Sequence, residues 1–312
     1  MDELMVLDSA SSSDELAKVF LGFLLNKSEL TAREYAPAIR EFLAFNGKDI
    51  QKPQDIRRHH LIYFKKHLED KGQANKTILK KLSAVSSLCK HLAEEGLVEV
   101  DLSYGVTRPR DQNKFESADF SDEEVKRIFA ALNPKRYNFE QYRALLAVGF
   151  YTGLRSSEIR HLKIKDLGEV RGHRVLRTLI KGGKLHELPL NQFVVFALSE
   201  HMRKLKELGF ELKDEDYLFP LLKPKANRPY SRDGLRYIIK VCVKNAGIQE
   251  ASFRRYSPHS MRATFAGHLL NIVGAPLEEV QRLMGHSSPV TTQKYDKRDK
   301  SHDKSPIYRI EF

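Results

Sequence analysis

The chain has only two cysteines in 312 residues, Cys89 and Cys242. Both lie in apolar, helix-patterned surroundings, where they make neither a disulfide framework nor the paired spacing of a zinc site, and they read as buried free thiols. Long apolar runs are missing too. Mean hydropathy is −0.47, and no stretch approaches the ~20 apolar residues that span a bilayer. The first residues, Met1 to Asp14, are acidic and Ser-rich rather than basic then apolar, which is not the pattern of a secretory signal. These absences point to a cytoplasmic protein with no membrane partner. Neither an internal repeat nor a low-complexity tract stands out.

What the chain has is positive charge. Lys and Arg number 53 against 41 Asp and Glu, a formal charge of +12. That suits an anionic partner, although basic proteins without one are common. The distribution says more than the total. Residues 1–117 balance 18 basic against 18 acidic side chains, so the whole excess belongs to residues 118–312, with 35 against 23. Inside the balanced half, Gln51 to Lys90 holds ten basic residues and three acidic ones. Two positive surfaces are expected, one in each half. The length and the 41% hydrophobic content support two packed cores.

Periodicity predicts four helices in the first half. Leu16, Val19, Phe20, Phe23 and Leu24 repeat at helical spacing. A second helix opens with a Thr31/Glu34 capping box, carries Tyr35, Ile39, Phe42 and Leu43, and stops at Asn46-Gly47. A third runs from about Arg57 to Leu68. The fourth, from about Asn75 to Glu95, turns Ile78, Leu82, Val85, Cys89 and Leu92 inward. Its opposite side carries Lys76, Lys80, Ser83, Ser87 and Lys90. A solvated face is the ordinary reading of such a stripe, but basic residues and hydroxyls without acids also suit a helix lying on phosphates.

Periodicity fades over 99–117, an interdomain linker, and restarts with a Ser121/Glu124 capping box. The second half is mostly helical. Its exception is Val175 to Ile180, then Lys181-Gly182-Gly183-Lys184, then Leu185 to Leu190, a small antiparallel β-hairpin with glycines at its turn.

Three segments of this half set cationic or proton-transferring side chains beside structural stop signals. An apolar helix ends at Thr152-Gly153, which leaves Arg155 at a helix junction with Glu158 one turn on. Ser257-Pro258 starts a helix with His259 and Arg262 on one side, next to an inward stripe of Met261, Phe265, Leu269 and Ile272. A helix begun at Pro276 ends at Gly285, exposing His286, and Ser288-Pro289 starts another that carries Tyr295. Singly, each has an ordinary structural reading: surface arginine, core-edge histidine, packed tyrosine. Together they form a site without a carboxylate cluster or a metal-ligand spacing. Its composition suits a phosphodiester, because guanidinium forks bind non-bridging oxygens in pairs and offset the charge of a pentacoordinate phosphorus. A tyrosine can be the nucleophile, and Lys or His can protonate the leaving alkoxide.

The stretches Thr152 to Ile159, Ile180 to Lys184, His259-Ser260-Met261-Arg262, Leu283-Met284-Gly285-His286 and Tyr295 resemble, in order and spacing, the motifs of the tyrosine recombinases or phage-type integrases. The likeness extends over nearly the whole chain. It implies a mainly α protein in which a four-helix, SAM-like core-binding domain (14–98) precedes a mixed, mostly helical catalytic domain (118–298) with a small antiparallel sheet. Residues 1–13 would be a flexible N-terminus. The resemblance gives Arg155, Arg262 and His286 the scissile phosphate to grip and charge-balance. Lys181 would be the general acid, with Lys184 as the alternative. His259 would assist proton transfer, Glu158 would support the set, and Tyr295 would form a 3′-phosphotyrosyl link. Ala263 departs from the family, which often has a His or other basic residue there.

The implied reaction is site-specific DNA strand exchange without cofactor or metal. The implied partner is double-stranded DNA carrying an inverted-repeat site, clamped between the two domains with Lys76, Lys80 and Lys90 on the backbone, in a homotetrameric synapse. The apolar tail 299–312 would dock on a neighbouring protomer or on its own domain. The chain carries no pattern for an added arm-binding domain. A type IB topoisomerase, a telomere resolvase and a catalytically silent DNA-binding regulator remain alternatives.

Overall fold

The computed structural model describes residues 14–110, 118–179, 183, 185–223, 225–250 and 255–296. Contacts divide the chain into two units, Met1–Lys114 and Phe115–Phe312, each with its own core. The expected N-terminal segment 1–13 and tail 299–312 lie outside the described residues.

Four helices build the first unit: α1 (Asp14–Leu25), α2 (Glu29–Phe45), α3 (Arg58–Asp70) and α4 (Asn75–Glu94). Their apolar positions fall at i, i+3, i+4 spacing, so each helix buries one stripe. Phe23, Ile39, Phe42, Phe64 and Leu82 meet in a common core at 0–2% exposure. Each such side chain stabilises the unit by about 1.5–3 kcal/mol. The edge-to-face contact of Phe42 with Phe64, 5.4 Å between ring centres, adds about 1 kcal/mol.

One boundary differs from the sequence reading. The α2 helix begins a turn earlier than the Thr31/Glu34 pattern suggests, because Ser28 is its cap and accepts from the Thr31 amide at 3.3 Å. The five apolar residues expected to face inward from α4 do so. Burial pushes the Cys89 thiol up to about 12, which keeps it protonated and inert. The chain beyond α4, taken from sequence as linker, lies against this unit at least to Arg110. Leu102 and Val106 pack on its core, and Asn75 Nδ2 donates to the Arg110 carbonyl at 2.8 Å.

The second unit wraps helices around a core helix, α6 (Phe139–Thr152), whose residues Ala144 to Val148 are fully buried. Before it comes α5 (Asp122–Ala130), started by the reciprocal Ser121/Glu124 box. After it come α7 (Ser156–His161) and a single 3-10 turn, Ile164–Asp166. Strands β1 (Leu167–Val170), β2 (His173–Leu179) and β3 (Leu185–Pro189) form an antiparallel sheet in that order. Leu176 of β2 faces Leu188 of β3, and both are buried. The β2–β3 hairpin is the one the sequence announces. Two further pieces are corrections: β1, and a two-stranded sheet of β4 (Pro220–Leu221) and β5 (Ala226–Pro229) that follows α8 (Gln192–Glu207). Strands of two to four residues are too short to show a period.

The chain then runs through α9 (Arg232–Asn245), α10 (Pro258–His268), α11 (Leu277–Met284) and α12 (Pro289–Gln293). Between α10 and α11, Leu269–Val273 winds as a π-helical turn. That wider turn shifts the phase of the helix. Ile272, expected on the inward stripe with Met261, is therefore 69% exposed. Met261 itself packs over α6 at Gly149, where an added Cβ would lie 2.5 Å from its sulfur.

Candidate active site

Four helix ends converge in the second unit. Gly153 closes α6 in the left-handed conformation (φ 63°), and Arg155 follows as the residue capping α7. Glu158 reaches back one turn: Oε2 accepts from the Arg155 amide at 2.7 Å, and Oε1 from Arg155 Nη1 at 2.8 Å. The carboxylate is nearly buried, while the guanidinium is about one-third exposed. Glu158 thus fixes both the backbone and the side chain of Arg155 while leaving its outer edge accessible.

Arg262, on α10, is 2% exposed. Its Nη1 donates to the Gly153 carbonyl at 2.5 Å, and its Nη2 to the Met284 carbonyl at 2.6 Å. It therefore ties the C-terminal ends of α6 and α11 together, satisfying carbonyls that helix ends leave unpaired. Burial, reinforced by the nearby Arg155 charge, lowers its pKa to about 10, still far above neutrality. Arg262 Nη2 also donates to His286 Nε2 at 2.8 Å. Since that nitrogen accepts, the proton of a neutral ring sits on Nδ1, which donates to Thr292 Oγ1 at 2.8 Å. Burial, then the charges of Arg262 and Arg155, hold His286 at about 4, so the ring is neutral at pH 7. Beside two guanidiniums, and without DNA, His286 is thus an uncharged, oriented imidazole.

Tyr295 lies two residues past the end of α12 rather than within the helix, a correction to the sequence reading. Its hydroxyl is 3.2 Å from His259 Nε2, and its ring lies nearly parallel to that of His286 at 6.5 Å. Asn271, in the π-helical turn, donates to the Tyr295 carbonyl at 3.0 Å and holds the backbone there. Desolvation, then the charges of Arg262 and Arg155, lower the His259 pKa below its ordinary 6.5, which favours the neutral ring beside the phenol. Arg155 thus acts electrostatically on Arg262, His259 and His286 alike, which places all four within one field. Among the described residues, no group of three or more His, Cys, Asp or Glu could hold a metal ion.

The phage integrase family model matches residues 119–302, well over half of the chain, and the model of the phage integrase N-terminal SAM-like domain matches 18–96. The chain belongs to the phage integrase family. Its tyrosine recombinase relatives include XerC of Bacillus pumilus, 30% identical over 91% of this chain and 92% of that protein. Another is XerD of Halalkalibacterium halodurans, 26% identical over 86% and 87%. The same fold occurs in the XerH site-specific recombinase solved with palindromic difH substrate after cleavage (TM-score 0.70, 21% identity, 91% of this chain and 82% of that one). It occurs again in the Tn1549 transposon integrase solved with circular intermediate DNA (TM-score 0.69, 18% identity, 94% and 98%).

The structure brings together six of the side chains singled out in the sequence: Arg155, Glu158, His259, Arg262, His286 and Tyr295. Lys181 and Lys184 lie outside the described residues. What holds the set in place escaped notice. Thr292 is fully buried under His286. Gln281 donates to the His286 carbonyl, and His186 of β3 bonds the Leu283 carbonyl at 2.9 Å, tying the hairpin to α11. Only the position of Thr292, three residues before the tyrosine and six after the histidine, offered a signal.

In the first unit, Lys76, Lys80 and Lys90 are exposed as expected. Lys80 lies 3.4 Å from Glu34 and Lys90 3.7 Å from Glu94, so two of the three face a carboxylate that the stripe itself did not reveal. The chain beyond α4 adds an unforeseen cation: Arg108 donates to Ser83 and Ser86 on the same helix, at 3.2 and 3.0 Å.

Proposed function

We propose that this chain cuts and rejoins DNA strands at specific sites through a 3′-phosphotyrosyl intermediate, with Tyr295 as nucleophile. The observation that carries this reading is the 3.2 Å approach of the Tyr295 hydroxyl to His259 Nε2, next to the Arg262–His286 pair. The phenolic oxygen attacks phosphorus as its proton passes to His259 Nε2. The bond to the 5′ oxygen breaks, and Lys181 supplies that oxygen with a proton. The bond energy is kept in the phosphotyrosine, so the 5′-hydroxyl of another strand reverses the step. Arg155 and Arg262 balance the charge that develops on the non-bridging oxygens. His286 starts out neutral and gains affinity for a proton as an anion approaches, which makes it a donor to the phosphate.

Around this chemistry the reading adds duplex DNA with an inverted-repeat site as substrate, a tetramer on that DNA, and residence in the cytoplasm on the nucleoid. Lys76, Lys80, Lys90 and Arg108 meet backbone phosphates from the first unit, which makes affinity steeply salt-dependent. No helix among the described residues is long and apolar enough to cross a membrane.

A nicked suicide duplex bearing the cognate site tests the mechanism. Tyr295→Phe should abolish the covalent protein–DNA adduct while DNA affinity stays within about twofold, since one hydroxyl is lost and no phosphate contact. EDTA should leave the wild-type adduct unchanged, because guanidiniums carry the electrostatic load. Full adduct formation by Tyr295→Phe would reject the nucleophile. Relaxation of supercoiled plasmid by a monomer without sequence preference would favour the topoisomerase alternative, and absence of any adduct from the wild type a silent regulator.

A further inference from the structure

The second unit holds another group of cations, at a cleft that Glu158 also lines. The open cleft of about 440 Å³ is bounded by Ser157 and His161 of α7, by Lys163 and Lys165 around the single turn, and by Thr178 of β2. Its other carboxylates are already engaged. Asp166 accepts from the Lys163 amide at 2.7 Å, and Glu158 from Arg155. Both lysine ammoniums converge on a carboxylate from outside that lining, Glu215: Lys163 Nζ donates at 2.6 Å to one oxygen, and Lys165 donates to the other. That convergence is built by the backbone. The Ile164 amide donates to the Asp216 carbonyl (2.9 Å), the Lys165 amide to the Asp214 carbonyl (3.1 Å), and Lys163 bridges antiparallel to Tyr217.

The two lysines therefore share the Glu215 carboxylate, whose two oxygens link them, while Asp166 adds a weaker attraction to Lys163. A phosphodiester presents the same features to a pair of ammoniums: one charge, spread over two oxygens. Exchanging one for the other leaves the charge against the two ammoniums unchanged. It also costs little at Glu215, whose side chain is 65% exposed and can return to water. Hydroxyls of Ser157 and Thr178 at the cleft wall add donors of the kind that phosphate contacts use.

We propose that this cleft is a seat for a DNA backbone phosphate flanking the scissile one, and that Glu215 is a built-in competitor that occupies Lys163 and Lys165 until DNA displaces it. The proposal rests on the reading of the chain as a DNA-binding enzyme. Its consequence is distinctive, since removing a negative charge at one position should matter only while the two lysines are present.

The test measures affinity of the full chain for a short mixed-sequence duplex across a salt series, with thermal melting as a check on folding. Lys163→Gln/Lys165→Gln should weaken binding and flatten the log–log salt slope by about one. Glu215→Gln should tighten binding roughly three- to tenfold at low salt, and should have no effect in the double-Gln background. The exposed Lys165→Gln alone should give an intermediate slope, which guards against a folding defect in the double variant. An unchanged slope in the double variant, or a Glu215→Gln effect that persists without the lysines, would overturn the phosphate seat while leaving DNA binding by the rest of the protein intact. A wild-type chain that bound no duplex at any salt would instead remove the underlying reading, and the proposal with it.

Discussion

At the scale of single residues, the candidate site works by removing choices. A guanidinium with five donors can bind carbonyls and phosphate in many ways. Arg262 is limited by two helix-end carbonyls and the His286 ring, and Arg155 by Glu158. His286 has two possible neutral tautomers, and the donor on one side with the acceptor on the other leaves one. Thr292 is the acceptor, so Thr292→Val, close in volume, should leave the Nδ1 proton unpaired and let the ring turn. A loss of about 1–2 kcal/mol corresponds to a roughly five- to thirtyfold slower appearance of covalent adduct with DNA affinity unchanged. Equal loss of binding and cleavage would show that Thr292 merely packs. These residue types and their order were legible in the sequence because chemistry demands particular side chains. Their carbonyl partners were not, because a backbone carbonyl has no letter of its own.

At the scale of elements, helix ends carry the site, and stop signals decide where helices end. Gly153 must accept a positive φ and must also clear Phe265, whose ring carbon would lie 2.4 Å from an added Cβ. Gly153→Ala should cost roughly 2–4 kcal/mol from strain and overpacking together. It should also move the carbonyl that receives Arg262. Urea denaturation should show a lower midpoint with an unchanged slope, and cleavage should fall further than DNA binding. A variant with wild-type midpoint and cleavage would show that the α6–α7 corner tolerates a side chain. The π-helical turn after α10 makes the complementary point. Its apolar letters continue the inward stripe on paper, but the wider turn puts Ile272 outside and brings Asn271 to the Tyr295 carbonyl. An α-helical period cannot foresee a residue inserted into the winding.

At the scale of the whole molecule, two separate cores mean that stability is set unit by unit. The second unit contains a buried histidine outside the site, His201 of α8, at 1% exposure, stacked on Phe219 and donating through Nε2 to the Leu218 carbonyl at 2.8 Å. Burial holds it at about 4 against an ordinary 6.5. Between those values the unfolded chain binds the proton and the folded one does not. Its contribution is therefore complete above about pH 6.5 and is lost as pH falls towards 4, by up to about 3 kcal/mol. His286, half-buried and also near 4, adds to the loss with the same sign. The urea midpoint followed from pH 7 to pH 4.5 should drop in the wild type and drop less in His201→Gln, which keeps a donor for Leu218. Identical pH profiles would show that His201 does not couple protonation to unfolding.

The sequence by itself determined the four helices of the first unit, the mostly helical character of the second, the hairpin, the asymmetry of charge and the side-chain types that meet at the candidate site. Each of those depends on neighbours within one or two turns, or on a side chain that no other can replace. Tertiary structure alone decided that Arg262 is buried and shared among three acceptors, that His286 is neutral, that Glu34 of α2 reaches Lys80 of α4, and that Glu215 sits between Lys163 and Lys165. Protonation and charge pairing depend on what surrounds a group in space, and for most of these groups the surroundings come from residues that are distant along the chain.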